Sequence, residues 1–138
     1  MLKLKFEKKF DVIVLNHVLE HIPEITDVPQ KLSELLKQDG IIIINVPNIS
    51  GTIAQIMMQN WCQMAPFTHI WFFSKKSITK IFGKNFKKIQ FKTNTNCEPI
   101  GFLPLGIKLW VKTIIVVFAN FLNKGDELHV VLKGPNPN

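Results

Sequence analysis

The chain has 138 residues, 46% of them hydrophobic with 11 Phe and 3 Trp, which suffices to bury the core of one domain and excludes a disordered segment. Lys and Arg number 17 against 10 Asp and Glu, a formal net charge of +7. The lysines fall in small groups (Lys3, Lys5, Lys8, Lys9; Lys75, Lys76, Lys80; Lys84, Lys87, Lys88) without a nucleic-acid recognition signature, so they read as solvated faces and no specific nucleic acid is expected as a partner. Cys62 and Cys97 fit neither a disulfide framework nor a zinc spacing and are expected to be reduced thiols. The opening MLKLKFEKKF lacks the apolar core of a signal peptide, which points to a cytoplasmic protein.

Val12, Ile13, Val14 and Leu15 form an unbroken apolar run, the pattern of a parallel strand covered on both faces and placed centrally in a sheet. Asn16 to His21 begin the turn that follows. Asp27, with Pro29 in the first turn and Gln30 three residues on, marks a helix start, and Val28, Leu32, Leu35 and Leu36 give its apolar face. Asp39 and Gly40 read as the stop. Ile41 to Val46 is a second buried strand, closed by Pro47 and Asn48. A strand, a helix and a strand at this spacing imply a parallel crossover, because parallel strands cannot be joined by a tight hairpin. The two carboxyl ends, Leu15 to His17 and Val46 to Asn48, then share one edge, where open α/β sheets bind ligands.

Ile53, Ile56, Met57, Trp61 and Met64 recur at helical spacing, so residues 50–66 are expected to form a lid or insertion helix. Ser74 caps a further helix with Ile78, Ile81 and Phe82 on its inner face and Gly83 at its end. Ile89 and Phe91 alternate with Lys88, Gln90 and Lys92 in a half-exposed strand. Residues 102–123 read as an inserted amphipathic helix before the last strand. Leu103, Ile107, Trp110, Ile114, Val117 and Phe121 share one face, with Lys108 and Lys112 opposite, beside Ala119. That face suits docking onto the sheet or a partner chain, or peripheral contact with a membrane interface. Leu128 to Leu132 is the last strand, and the GPNPN tail is expected to fray.

His17, Glu20 and His21 spell H-x-x-E-H, a zinc-peptidase pattern in which two imidazoles one helical turn apart hold the ion. The motif begins at the end of a buried strand and lacks a well-spaced third ligand, so a zinc peptidase is the lesser alternative and no metal is assigned.

The whole string carries more. FDVIVLNHVLEHI, then LSELLKQDGIIIINVPN, then THIWFFSKKSITKIFGKNF resembles the carboxyl-terminal half of class I S-adenosylmethionine (SAM)-dependent methyltransferases, most of all the ubiquinone-biosynthesis-type group acting on small molecules, sugars and lipids. The resemblance covers Phe10 to Phe86, and GDELHVVLKG is similar to the family's last strand. It implies an α/β fold, a partial Rossmann-like sheet of the family's strands four to seven with helices on its faces, in which Phe91 and Val130 lie in the antiparallel last pair. It implies SAM as cofactor, with Leu15, Asn16, His17 and Glu20 lining it, Asn48 and His69 toward the substrate, and His21 and His69 as catalytic candidates. Plainer roles stand beside these: a cap or loop bond for His17 or His21, a turn for Asn48, and a backbone-bonded buried ring for His69. The family's first strand and glycine-rich loop would lie upstream of Met1, so residues 1–138 are read as a single incomplete domain. Its parent activity is methylation, and the chain alone is expected to bind SAM weakly or not at all. A non-catalytic remnant that pairs with a second copy or a complementary chain through an exposed sheet edge is the other reading.

Overall fold

A computed structural model describes residues 8–65, 67–96 and 105–136. The apolar runs condense into two strands, β1 (Phe10–Asn16) and β2 (Leu36–Pro47), which pair in parallel from Val12↔Ile41 to Asn16↔Asn45. They are joined by α1 (Val28–Leu35), with Val28, Pro29, Leu32 and Ser33 buried. α1 opens after Asp27 as expected, although the Asp27 side chain makes no capping bond. Asp39 and Gly40 do not stop it: the chain passes from Leu35 straight into β2, and both residues lie inside that strand. The strand's early start pairs Leu36 with Phe10 across a bulge, a bond the residue pattern alone does not reveal.

α2 (Thr52–Met57) follows β2, and α3 (Lys75–Phe82) opens with a full capping box, Ser77 N donating to Ser74 Oγ and Ser74 N to Ser77 Oγ. Next comes β3 (Phe86–Asn94), which alternates as expected. The last strand, β4 (Glu127–Pro135), inserts between β2 and β3, antiparallel to both, so the sheet order is β1-β2-β4-β3. Phe91 and Val130 face each other across the β3–β4 ladder. The result is the α/β architecture the sequence implied, one mixed sheet with helices against it. Ile42, Ile44, Val46, Leu128, Val130 and Leu132 are fully buried and form the core with Phe73, Ile78 and Phe82.

Four expectations are corrected. β1 is an edge strand, with Val12 and Val14 49% and 56% exposed, because no strand among the described residues lies beyond it. The helix expected over 50–66 is short: α2 ends where Met58 adopts φ 48°, and a tight turn over Met58–Asn60 follows. Trp61 still reaches the small core of Ile53 and Ala54, so the apolar spacing reflects burial without one continuous helix. α4 (Leu105–Phe121) docks through the opposite side from the one expected. Ala119 is fully buried and Ile115 packs on the α2 cluster, whereas Trp110, Ile114, Val117 and Phe121 are exposed. Finally, Cys62 is disulfide-bonded and no free cysteine is present among the described residues, against the expected thiol; Cys97, Leu103 and the other residues of 97–104 lie outside the described residues. The tail is less frayed than expected, since Asn136 N donates to Asn85 O at 2.8 Å. Among the described residues no helix is long and apolar enough to cross a membrane.

Burial sets the energetic contrast between strands. Ile44→Ala should cost about 2–5 kcal/mol of stability in urea unfolding, and Val14→Thr within about 0.5 kcal/mol. Equal losses would mean that β1 is covered on both faces.

Candidate functional site

The carboxyl ends of β1 and β2 meet at one edge, and the turn that leaves β1 shapes the site. His17 takes φ 50°, a left-handed conformation in which histidine is one of the better tolerated side chains. Its N–H still donates to Asn45 O at 2.9 Å, and the chain then makes a single turn over Leu19–His21. His17 and His21 therefore never share a helix face, which removes the geometry that the zinc-peptidase motif needs.

His17 is turned toward two carboxylates. Its Nδ1 lies 3.2 Å from Glu20 Oε1 and its Nε2 3.0 Å from Glu127 Oε1. A neutral imidazole carries one N–H, so only the doubly protonated ring donates to both. Glu127, the first residue of β4, also accepts from Asn96 Nδ2 and stands 3.6 Å from His129 Nε2. His129 Nδ1 donates to Asn45 Oδ1 at 2.7 Å, and Asn45 Nδ2 donates to Asn16 Oδ1 at 3.0 Å. A polar row thus crosses three strands through registered neighbours, Asn16↔Asn45 and Asn45↔His129.

Asn45, Glu127 and His129 were not expected in the site. Two signals point to them: Asn45 is the one polar residue of IIIINVP, and Glu127 and His129 alternate with the buried Leu128 and Val130. Leu15 is half-buried against the core beside them, and Asn16 is exposed at the rim.

The second half of the site comes from the segment before α3. Ile70 N and Trp71 N donate to Glu20 O at 2.8 and 3.2 Å, and Trp71 Nε1 donates to Ile22 O at 2.8 Å, which staples residues 69–71 onto the turn after β1. His69 is thereby brought to His21, their ring centroids 5.0 Å apart. Each ring donates through Nδ1 to a backbone carbonyl, His21 to Thr68 O at 2.6 Å and His69 to Gln63 O at 3.0 Å. Their Nε2 atoms are left as acceptors. Glu20 is fully buried; Oε1 takes the His17 contact, while Oε2 has no partner. Together these residues offer acid–base groups, carbonyl-oriented imidazole nitrogens and a buried negative charge at the edge of the sheet.

Asn48 stands apart from this group. It is buried, with Nδ2 donating to Gly125 O at 2.7 Å and Oδ1 accepting from Ser50 N at 3.2 Å, so both ends of its amide are engaged within the fold. A Cβ on Gly125 would run into the Asn94 backbone, which explains glycine at this crossing.

A four-stranded mixed sheet with a polar carboxyl edge, entered by a strand–helix–strand crossover, has the architecture of SAM-dependent methyltransferases, and solved structures of that class match it. A SAM-dependent methyltransferase from Thermotoga maritima, described as a possible histamine N-methyltransferase, superposes with a TM-score of 0.63 at 11% identity, covering 94% of this chain and 59% of that one. A SAM-dependent methyltransferase from Archaeoglobus fulgidus gives 0.56 at 18% identity, covering 91% and 60%. The plantazolicin methyltransferase BpumL, solved with a desmethyl-plantazolicin analogue and SAH, gives 0.53 at 15% identity, covering 98% and 56%. The chain thus spans about three fifths of the length of the solved structures it matches. The family model described as a methyltransferase domain matches residues 3–90, and the chain belongs to that family. No match was found among curated proteins.

The engaged amide of Asn48 predicts a structural role: Asn48→Ala should destabilise the fold by about 1–3 kcal/mol by leaving Gly125 O and Ser50 N without their partner. Urea unfolding checks this, and an unchanged midpoint would return Asn48 to the list of ligand contacts.

Proposed function

We propose that this chain is the carboxyl-terminal part of a SAM-dependent methyltransferase of the ubiquinone-biosynthesis type, acting on a small-molecule, sugar or lipid acceptor. The observation that carries the reading is the parallel pairing of β1 with β2, which sets Asn16 and His17 beside Asn45 at the edge where such sheets take their ligands.

The residues present suit one flank of the cofactor. Asn16 spends its Oδ1 on Asn45 and keeps Nδ2 as an open donor on an exposed side chain, matched to a ligand rich in hydroxyls. Leu15 adds an apolar wall. His17, held between Glu20 and Glu127, is fixed in orientation beside them. SAM, when bound, supplies an activated methyl group on its sulfonium; the protein's task is to align the acceptor and exclude water. His21 and His69, each with Nδ1 committed to a carbonyl, present Nε2 as the atom that takes a proton from an acceptor hydroxyl or amine.

The cofactor's amino-acid end has no comparable cradle in this sequence, because no glycine-rich turn follows a strand. Weak binding by the chain alone follows, with a dissociation constant of roughly 1 mM, equivalent to about 4 kcal/mol. Nitrogen-15 NMR with added SAH is the test: shifts should gather at residues 15–20 and saturate only in the millimolar range. Shifts confined to other elements would sink the assignment of this edge, and micromolar saturation would show that the cradle is complete.

Two surfaces bear on partners. The exposed face of α4 (Trp110, Ile114, Val117, Phe121) with the +7 charge favours a lipid-linked acceptor or contact with anionic headgroups. The open flank of β1 favours pairing with a second copy or a complementary chain, which is also how a non-catalytic form would act. One sedimentation series reads both. Anionic vesicles should carry the protein down and Trp110→Ser with Phe121→Ser should release it. Without vesicles, the apparent mass should rise with concentration and Val14→Lys should suppress the rise. Indifference to vesicles and to concentration would remove both proposals.

A further inference from the structure

Glu20, His21 and His69 each offer one ligand atom, and these atoms all lie within 4.8 Å of one another. We infer that they form a binding site for a divalent first-row transition ion, zinc being the best match, with at least one coordination position open to water. The inference stands on the side chains alone and does not require SAM binding.

Three observations support it independently. First, the imidazoles are already oriented as metal ligands are: Nδ1–H bonded to a backbone carbonyl leaves the Nε2 lone pair facing outward, the arrangement that fixes tautomer and ring direction in metal sites. Second, Glu20 is fully buried and its Oε2 has no hydrogen-bond partner. A buried carboxylate oxygen in that state is strongly unfavourable unless a cation answers it, and His17 engages only Oε1. Third, burial is graded across the cluster, Glu20 buried, His69 intermediate and His21 exposed, so an ion has a path in and solvent can reach its open side.

Two imidazoles and a carboxylate form a donor set typical of zinc with an added water, and it is poorly suited to calcium or magnesium, which prefer oxygen ligands. Donors about 2.0–2.2 Å from a tetrahedral ion stand roughly 3.4 Å apart, so modest side-chain rotation closes the present spacing. This ligand set differs from the linear motif. The sequence pairs His17 with His21, whereas the fold replaces His17 by a histidine 48 positions downstream of His21, delivered by the bonds of Ile70 and Trp71 to Glu20 O. A bound ion would occupy the same Nε2 lone pairs that otherwise accept protons, so metal binding and a free-base role at these histidines exclude each other.

The test uses the full chain, stripped with chelator and titrated with zinc chloride in a calorimeter. One ion per chain is expected. His21→Ala and His69→Ala should each weaken binding at least roughly 100-fold and Glu20→Gln by more than roughly tenfold, while His17→Ala, acting only through Oε1, should change it by less than roughly tenfold. His129→Ala should leave it unchanged. Nitrogen-15 spectra of the unmutated protein guard against variants that fail to fold: zinc should move the Nε2 signals of His21 and His69 and spare those of His17 and His129. Absence of stoichiometric binding, loss in His17→Ala with retention in His69→Ala, or equal movement of all four histidines would each overturn the site.

Discussion

The parallel ladder between β1 and β2 is the constraint on which the rest depends. Because parallel neighbours need a crossover, α1 must lie between them in sequence, and both strands must finish at the same edge. β2 is bonded on its other side by β4, so the edge that collects Asn16, His17 and Asn45 also receives Glu127 and His129. The contact between His17 and Glu127 joins residues 110 positions apart. No local segment contains the site. It exists only where the two kinds of ladder, parallel and antiparallel, share a strand.

Much of this was legible in the residues. The β-branched runs at Val12–Leu15 and Ile41–Val46 gave strand type and direction, the Ser74 cap placed α3, and the alternation around Ile89 and Phe91 placed β3. What escaped has physical causes. An all-apolar strand reads as covered on both faces whether or not a neighbour is present, and β1 lacks one among the described residues. An apolar helix with lysines on one side does not say which apolar positions meet the protein: α4 buries the small Ala119, which permits close approach, and leaves Trp110 and Phe121 outside. Gly40 reads as a helix stop, yet the pairing of Leu36 with Phe10 extends β2 backward past it. In the site, Asn16, His17, Glu20, His21 and His69 were identifiable from the residues, but their division into two groups depends on a positive φ at His17 and on backbone bonds to Glu20 O, neither of which has a sequence signature.

That division explains why one short string supports two unlike chemical patterns. The single turn after His17 sends its ring toward β4 and sends Glu20 and His21 toward the segment before α3. Glu20 lies at the join, one oxygen facing each way, fully enclosed. Its carboxylate couples the polar row across the strands to the histidine pair, so a change of charge on either side is felt on the other through a few ångströms of low-dielectric interior.

The order of strands also bears on how the molecule comes to exist. β4 occupies the slot between β2 and β3 yet is made after both. While a ribosome is still synthesising the chain, β2 and β3 have no bond to each other, and their apolar faces wait for a strand still to emerge from the exit tunnel. Closure across such a long stretch is slow. The nascent protein therefore passes through a stage of open, sticky edges in which chaperones, more than its own contacts, decide whether it survives.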